Sequence, residues 1–399
     1  MPHDIKDGVT RARPGQKAGL AHAALALGGF SIGTAEFATM SFLPAFTAEL
    51  GVDAPAGGHV VSAYALGVVF GAPVLAIFGA RLERRLLLTL LLGWFALGNI
   101  LSAFAPNLAS LVALRFLTAI PHGAYFGSAV LVAAGMVAGN RRAHAVGRVL
   151  MGLALATTVG VPLASLLSQW LGWRAGFGAI GGLALLALAL LLRVVPTRMP
   201  AAGASARREL GALRRPQVWL TLGVGAVGFG GMFCVYTYLA STLSAVTHAA
   251  DNAVPIILAV FGAGIAFGNF VAPHLASRGV MFAAGVLLAW SAAALALYPL
   301  SIHSLWSIGL AVFAIGCGGG LGVVLQMRLM DVAGDAQNLA ASLNHVAFNI
   351  ANALGPWLGG LAITAGLGWA STGRVGCALA FGGLAVWLTA VMSERWCRG

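Results

Sequence analysis

Apolar stretches of about 20 residues or more recur along the whole chain, separated by short polar connections. A helix of about that length crosses the hydrocarbon core of a bilayer. The alternation over about ten residues that is typical of an outer-membrane barrel is absent from the sequence. The pattern therefore predicts twelve transmembrane helices, at residues 18–48, 59–79, 86–105, 109–137, 146–168, 175–194, 217–246, 253–275, 280–299, 304–327, 339–365 and 374–393.

Composition supports a membrane protein. Hydrophobic residues make up 59% of the 399 residues and charged residues 9%, whereas about 25% of a soluble domain is charged. The mean hydropathy is +0.91. A net charge of +12 in a soluble domain would suggest nucleic-acid binding, but the arginines lie in short clusters between the apolar stretches. We expect an all-α protein embedded in the lipid bilayer, with no nucleic-acid partner.

The positive charges predict the orientation of the chain. Twenty of the 23 lysine and arginine residues fall near the termini or in connections on one predicted side of the membrane. Arg174 and Arg374 lie on the other side, and Arg115 lies within a helix. Because lysine and arginine accumulate in cytoplasmic loops, both termini are predicted to be cytoplasmic.

A polar connection divides the chain into two parts. It covers residues 195–216 and is rich in proline, alanine and arginine. We predict an N-terminal six-helix bundle at 1–194, a cytoplasmic linker at 195–216 and a C-terminal six-helix bundle at 217–399.

Short motifs recur between the two parts at a nearly constant spacing. The dipeptide Phe70-Gly71 recurs as Phe267-Gly268, at a shift of 197, and Gly172-Trp173 recurs as Gly368-Trp369, at a shift of 196. These matches indicate duplication of a six-helix unit. Two such repeats that rock about a site at the membrane midplane form a known transporter architecture.

Glu36 is the exception among the eleven acidic residues, because the other ten fall in connections or at helix ends. A carboxylate deep in a membrane helix costs several kcal/mol unless it is protonated, paired or in contact with water. We therefore interpret Glu36 as a proton carrier. The alternative is a structural acid that is hydrogen-bonded to a neighbouring helix.

The fourth predicted helix places a cation and an imidazole on one face. Arg115, Thr118, His122 and Phe126 are spaced by three or four residues, and Pro121 is expected to bend the helix and free a backbone carbonyl. Arg115 and His122 are predicted to tune a nearby carboxylate during proton coupling. Alternatively, Arg115 extends to the outer interface and His122 makes a structural polar contact.

Polar residues form a stripe on the eleventh predicted helix, where His345, Asn349 and Asn352 follow the i, i+4, i+7 pattern. Such a stripe must face protein or water. It forms either a wall of a ligand cavity or a contact between helices, and the aromatic residues of the seventh helix present the same alternatives. The predicted substrate cavity is lined by Glu36, Met40, His122, Phe126, Tyr236, Tyr238, Gln326, His345 and Asn349.

Several other classes of protein lack support in the sequence. No GxxxxGK[ST] phosphate loop is present, so ATP is not expected to supply the energy. No HExxH motif or membrane cluster with metal-ligand spacing is found. An enzyme needs at least two convergent catalytic groups, and Glu36 with His122 is the one pair available. We therefore expect neither an enzyme nor a metal protein.

Four segments of the sequence resemble the major facilitator superfamily, and specifically its drug- and sugar-efflux branch of proton antiporters, which includes the arabinose-efflux-like permeases. They are GTAEF around Glu36, YALGVVFGAP from Tyr64, RFLTAIPHGAYFG from Arg115 and GVPLAS from Gly160. The resemblance spans nearly the whole chain. It implies two pseudo-symmetric bundles around a central cavity, a location in the bacterial inner membrane, and transport driven by a proton gradient with no cofactor. We expect a monomer.

The resemblance also implies residues that gate the transporter. In this superfamily the loop between helices 2 and 3 usually carries a Gly-x-x-x-Asp-Arg-x-Gly-Arg-Arg signature that latches the inner gate. Arg81, Arg84 and Arg85 match its basic positions, while Ala80 replaces its aspartate and Glu83 its second glycine.

The segment from Gly160 to Pro162 resembles the fifth-helix motif associated with exporters, with Val161 between its usual glycine and proline. Gly160 and Pro162 are therefore predicted to take part in gating.

Together these features predict a secondary active transporter that exports a small organic solute, drug-like or sugar-like, in exchange for protons by alternating access. A proton-coupled importer or facilitator of a small metabolite is the alternative, and an intramembrane enzyme or sensor is less favoured.

Overall fold

The computed structural model describes residues 14–79, 82–138, 141–196, 214–333 and 337–396, and over these ranges it contains helices and no β-strand. The first six helices are α1 (Pro14–Leu50), α2 (Ala54–Gly79), α3 (Arg84–Ala103), α4 (Leu108–Ala119 and His122–Gly135), α5 (Arg142–Leu155, a π-helical turn Ala156–Gly160 and Val161–Leu171) and α6 (Trp173–Val194). The other six are α7 (Pro216–Gly228 and Gly230–Ala245), α8 (Ala253–Ala276), α9 (Val280–Ser301), α10 (Leu305–Cys317, a short 3₁₀ turn Gly318–Gly320 and Leu321–Ala333), α11 (Gln337–Ala362 and a π-helical turn Ile363–Leu367) and α12 (Ser371–Trp396).

The prediction of twelve membrane-spanning helices is confirmed, because the described residues contain twelve helices that are long and apolar enough to cross a bilayer. With an even number of crossings, the start of α1 and the end of α12 lie at the same end of the molecule, here called the terminal end. The opposite end is called the distal end. α1 to α6 form the N-terminal half and α7 to α12 the C-terminal half.

The break in α4 occurs at Pro121, as the sequence predicted. Proline has no amide hydrogen, so it leaves the carbonyl four residues earlier, that of Leu117, without its usual helical donor. The indole Nε1 of Trp94 in α3 donates a 2.8 Å hydrogen bond to this carbonyl. The backbone of a membrane helix is therefore satisfied by a neighbouring helix at the point where its own ladder is interrupted.

Equivalent contacts recur in the two halves at the spacing found in the sequence. In the C-terminal half, Trp290 Nε1 donates a 2.8 Å hydrogen bond to the carbonyl of Ala314, as Trp94 does to Leu117. The rings of Phe70 and Phe116 lie 6.1 Å apart at 39°. Those of Phe267 and Phe313, each 197 positions later, lie 5.9 Å apart at 39°. The two halves therefore repeat their packing in detail.

The halves meet along a seam formed by α1, α2 and α5 on one side and α7, α8 and α11 on the other, with a smaller contribution from the second segment of α4. Ser62 in α2 donates a 3.0 Å hydrogen bond to the carbonyl of Ala353 in α11. Near the distal end, Gln169 in α5 donates a 2.7 Å hydrogen bond to the carbonyl of Asp251, just before α8. The halves are therefore closed against each other in the distal part of the molecule.

Most of the predicted linker, residues 197–213, lies outside the described residues, as does the N-terminal segment 1–13. The described part of the C-terminal half begins at residue 214.

Candidate functional site

Glu36 lies at the seam and is 3% exposed. Its Oε1 accepts a 3.2 Å hydrogen bond from Nδ2 of Asn352 in α11, in the other half of the molecule. Asn352 is also buried, and its Oδ1 has no hydrogen-bond partner among the described residues. The acid is therefore held at the contact between the two halves, which fits both a proton carrier and the structural alternative.

His122 lies on the other side of the Glu36 carboxyl group. Its Nε2 is 3.9 Å from Glu36 Oε2, which is longer than a hydrogen bond. Its Nδ1 is 3.1 Å from the hydroxyl of Tyr64 in α2. All three side chains are almost completely buried. The predicted pair of Glu36 and His122 is thus close in space, and Tyr64 extends the row.

Arg115 is completely buried, with 0% of its surface exposed. Its Nη1 donates to Asn99 Oδ1 at 3.2 Å, and its Nη2 donates to the carbonyl of Ala35 at 2.9 Å. The guanidinium carbon also lies 4.2 Å from the ring centre of Tyr64, in a cation–π contact. The alternative that Arg115 extends to the membrane interface is wrong, because the guanidinium finds its partners inside the N-terminal half.

Aromatic rings from the two halves contact each other at the seam beside Glu36. Phe37, the next residue of α1, stacks on Phe233 of α7 with ring centres 6.2 Å apart and meets Tyr236 edge-on at 5.9 Å. Phe348 of α11 packs edge-on against Phe233 at 4.8 Å. The neighbourhood of Glu36 in the seam is therefore apolar and aromatic, apart from the polar groups described above.

A second contact across the seam lies on the terminal side of this cluster. The rings of Phe126 in α4 and His345 in α11 are nearly parallel, at 10°, with centres 5.9 Å apart. Phe126 also packs against His122 at 5.4 Å. These two predicted site residues therefore join the halves close to the Glu36 site.

The other residues predicted to line the cavity have contacts of their own. The hydroxyl of Tyr238 donates a 2.8 Å hydrogen bond to the carbonyl of Pro356. Its place in the same cavity as Tyr236 stays a prediction. Asn349 is buried and donates to the carbonyl of His345 in its own helix, at 3.0 Å. Met40 is buried in α1, and Gln326 is partly buried in α10.

The predicted gating residues fall in two places. Arg81 lies outside the described residues, while Arg84 begins α3 and Arg85 donates from Nη2 to the carbonyl of Leu192 in α6. Gly160 ends the π-helical turn of α5 and packs closely against α1. Pro162 follows at the start of the next segment.

Three residues next to Glu36 and Arg115 were not predicted from the sequence to belong to the site. Tyr64 begins one of the segments that resemble the family, Asn352 belongs to the polar stripe of α11, and Asn99 carried no prediction. The available signal was a polar side chain within an apolar span. That signal is weak, because many serine and threonine side chains also lie within apolar spans of this chain. They donate hydrogen bonds to carbonyls of their own helices, as Thr39 does.

A cavity of about 300 Å³ lies between the halves at the distal end. It is lined by Asp53, Pro55, Ala56, His59, Trp357, Gly360, Leu361 and Thr364. None of the nine residues predicted to line the substrate cavity contributes to its wall. Among the described residues, no group of histidine, cysteine and acidic side chains is arranged to hold a metal ion.

Residues 25–335 match the family described as Major Facilitator Superfamily. The chain is 39% identical over 376 residues to the "Inner membrane transport protein YdhP" of Escherichia coli K12, covering 93% of this chain and 95% of that protein. It is 28% identical over 357 residues to a "Probable sugar efflux transporter" of Helicobacter pylori, covering 88% and 90% of the two chains.

The fold is similar to the crystal structure of a bacterial homologue of the human lysosomal transporter Spinster, with a TM-score of 0.65. The two chains are 18% identical, and the match covers 94% of this chain and 95% of the other. The family predicted from the sequence is confirmed by the family match and by the relatives. This chain therefore belongs to the Major Facilitator Superfamily and is a membrane transporter, not an enzyme.

Proposed function

We propose that the protein exports a small organic solute in exchange for protons, by alternating access across the inner membrane of a bacterium, with Glu36 as the residue that binds the proton. The observation that carries this proposal is the hydrogen bond between Glu36 and Asn352, which joins an ionisable group of one half to the other half. The proton gradient supplies the energy, and no bound cofactor is needed.

Coupling follows from the two protonation states of Glu36. The carboxylate accepts the hydrogen bond from Asn352 with the strength of a charge-assisted bond. Protonation removes the charge and weakens that bond, so it changes the free energy of the contact between the halves. Antiport requires only that proton and solute compete or favour opposite conformations. In the proposed cycle the solute binds from the cytoplasm when Glu36 is deprotonated, and protonation from outside releases it.

The direction of transport and the nature of the solute rest on two further observations. The relative in Helicobacter pylori is named as a probable sugar efflux transporter, and the excess of lysine and arginine favours a cytoplasmic terminal end. His122, Phe126, Tyr236 and His345 lie at or near the seam beside Glu36. Aromatic rings with a few polar groups suit a moderately polar organic solute, drug-like or sugar-like.

Reconstituted vesicles test the proposal. An imposed pH gradient is followed with a pH-sensitive dye while arabinose, chloramphenicol or tetraphenylphosphonium is added. Dissipation of the gradient that depends on one of these probes is the expected result. Exchange of radiolabelled probe without proton movement would instead establish a facilitator, and proton flux in the same direction as the probe would establish a symporter.

Glu36→Gln tests the assigned role of the acid, because glutamine keeps the shape and fixes the group as neutral. We expect this variant to lose accumulation of the probe driven by a pH gradient and to retain exchange between compartments of equal pH. Glu49→Gln is the matched control, since Glu49 lies in the same helix, is exposed, and pairs with Arg174 at the distal end. If Glu36→Gln still builds a gradient of the probe, the proton carrier lies elsewhere, with His122 as the next candidate.

A further inference from the structure

The two ring nitrogens of His122 face different partners. Nδ1 is 3.1 Å from the Tyr64 hydroxyl, and Nε2 is 3.9 Å from Oε2 of Glu36. A neutral imidazole carries one proton, and the hydrogen bond at one nitrogen decides which nitrogen carries it. The chemistry of these two contacts therefore selects a tautomer.

The contacts favour a proton on Nε2. While Glu36 is ionised, a proton on Nδ1 would leave the lone pair of Nε2 pointing toward a carboxylate oxygen, and the two negative regions would repel each other. With the proton on Nε2, the imidazole presents N–H to the carboxylate, and Nδ1 accepts a hydrogen bond from the Tyr64 hydroxyl. Tyr64 is itself held in place, because its ring lies 4.2 Å from the Arg115 guanidinium and its side chain is 1% exposed.

We infer that Tyr64 is a positioning residue that donates to Nδ1 of His122 and thereby keeps an N–H on Nε2 aimed at Glu36. Its effect on transport rests on the proposed role of Glu36, whereas the tautomer of His122 does not. Tyr64 and His122 both belong to the N-terminal half, so this pair travels with Glu36 when the halves move.

Glu36 thus has two alternative hydrogen-bond donors. Asn352, in the opposite half, donates to Oε1 at 3.2 Å, while His122, in its own half, is 3.9 Å from Oε2. When the halves separate at this level, Glu36 loses Asn352, and a shift of about 1 Å brings the Nε2 hydrogen within bonding distance. The carboxylate thus keeps a donor in both conformations. The other ionisable groups around this row are Arg115, next to Tyr64, and His345, stacked on Phe126.

Nitrogen NMR of histidine-labelled protein in vesicles tests the tautomer directly. His122→Asn identifies the resonances of His122 by their loss. At a pH high enough to ionise Glu36, we expect a protonated Nε2 and an unprotonated, hydrogen-bonded Nδ1 in the unmodified protein. Tyr64→Phe removes only the hydroxyl, so it should move the Nδ1 resonance to the position of a nitrogen without a donor. A proton on Nδ1, or an Nδ1 resonance unchanged in Tyr64→Phe, would overturn the inference.

Tyr125→Phe is the matched control, because Tyr125 is also completely buried and its hydroxyl donates to a backbone carbonyl, that of Leu25, at 2.8 Å. It should leave the His122 resonances in place. A general packing defect would move the His122 resonances in both variants.

Transport provides the second measurement. With whichever of arabinose, chloramphenicol and tetraphenylphosphonium supports proton flux, Tyr64→Phe should lower proton-driven transport about fivefold to tenfold, the effect of losing one buried hydrogen bond. Exchange at equal pH should change less than about twofold. An equal loss in both assays would make Tyr64 a packing residue and overturn its effect on coupling. If no probe supports proton flux in the unmodified protein, the proposed function fails, and the NMR result still decides the position of the proton.

Discussion

Glu36 and Asn352 are 316 residues apart in the sequence, and a 3.2 Å hydrogen bond joins their side chains. Each side chain is buried, with 3% and 1% exposed. The bond links α1 to α11, and thus one six-helix half to the other. A change in the protonation of Glu36 therefore acts directly on the contact between the halves, which opens and closes in the proposed cycle.

Replacing Asn352 by leucine should weaken the closed distal side. Leucine keeps the approximate volume of asparagine and removes the donor to Glu36, and a hydrogen bond to the ionised form of Glu36 contributes about 1.5–3 kcal/mol. The population open at the distal end should rise about tenfold or more. Distances between spin labels at Asp53 and Thr364, which lie on opposite sides of the seam, measure this shift.

Asn349→Leu is the control for that experiment, because Asn349 lies one turn away in α11 and its amide donates to its own helix. It should leave the label distances unchanged. Equal distances in all three proteins would show that the bond to Glu36 does not hold the halves together.

Adding one methyl group at Gly262 should also hold the seam open. A Cβ at this position of α8 would lie 2.6 Å from the carbonyl oxygen of Thr157 in the π-helical turn of α5. Because that atom is backbone, the helices must separate to accommodate it. In Gly262→Ala, labels at Gln169 and Asp251 should move apart, and transport should fall.

Gly182→Ala is the comparison for Gly262→Ala, because a Cβ at Gly182 meets no atom within 4 Å. This variant should match the unmodified protein in both measurements. If Gly262→Ala behaves in the same way as Gly182→Ala, the close approach of α5 and α8 has no part in the cycle.

Arg115→Lys should destabilise the N-terminal half. A lysine ammonium keeps the charge but lacks the two-pronged geometry that binds Asn99 and the Ala35 carbonyl together. The expected loss in the free energy of unfolding is about 2–3 kcal/mol, measured by denaturation with dodecyl sulfate in mixed micelles. Arg278→Lys, at an exposed site, should change it by about 0.5 kcal/mol or less. Similar losses at the two sites would contradict the role assigned to the buried guanidinium.

Trp94→Phe should destabilise the fold through the backbone of α4. The indole supplies a 2.8 Å hydrogen bond to the Leu117 carbonyl, and within the described part of the chain the other donor to this carbonyl is the Ile120 amide at 3.3 Å. We expect a loss of about 1 kcal/mol in the free energy of unfolding. In a Pro121→Ala background the same substitution should cost less, by about 0.5 kcal/mol or more, because an amide at position 121 bonds to the same carbonyl. A loss that is identical in both backgrounds would assign the effect of Trp94 to packing alone.

The number of helices was predictable because the bilayer imposes a minimum length on each apolar stretch. The irregularities within the helices were less predictable. Pro121 marked the break in α4, while the π-helical turns at Ala156–Gly160 and Ile363–Leu367 were not predicted. Pro162 follows the first turn and Gly366, with φ of 80°, lies within the second, but a proline or a glycine in an apolar helix does not by itself specify a π-helical turn.

Within the site, the sequence by itself singled out three ionisable groups that the structure buries. Glu36, Arg115 and His122 stood out because burying a charge in an apolar helix is costly, so few such residues occur. Which groups surround them was decided by the tertiary structure alone. Asn352 reaches Glu36 and Asn349 does not, although both share one stripe, because each residue advances about 1.5 Å along a helix and only one matches the height of the acid. A helix pattern specifies the face and the order of its residues, whereas their height against another helix depends on how the two halves dock.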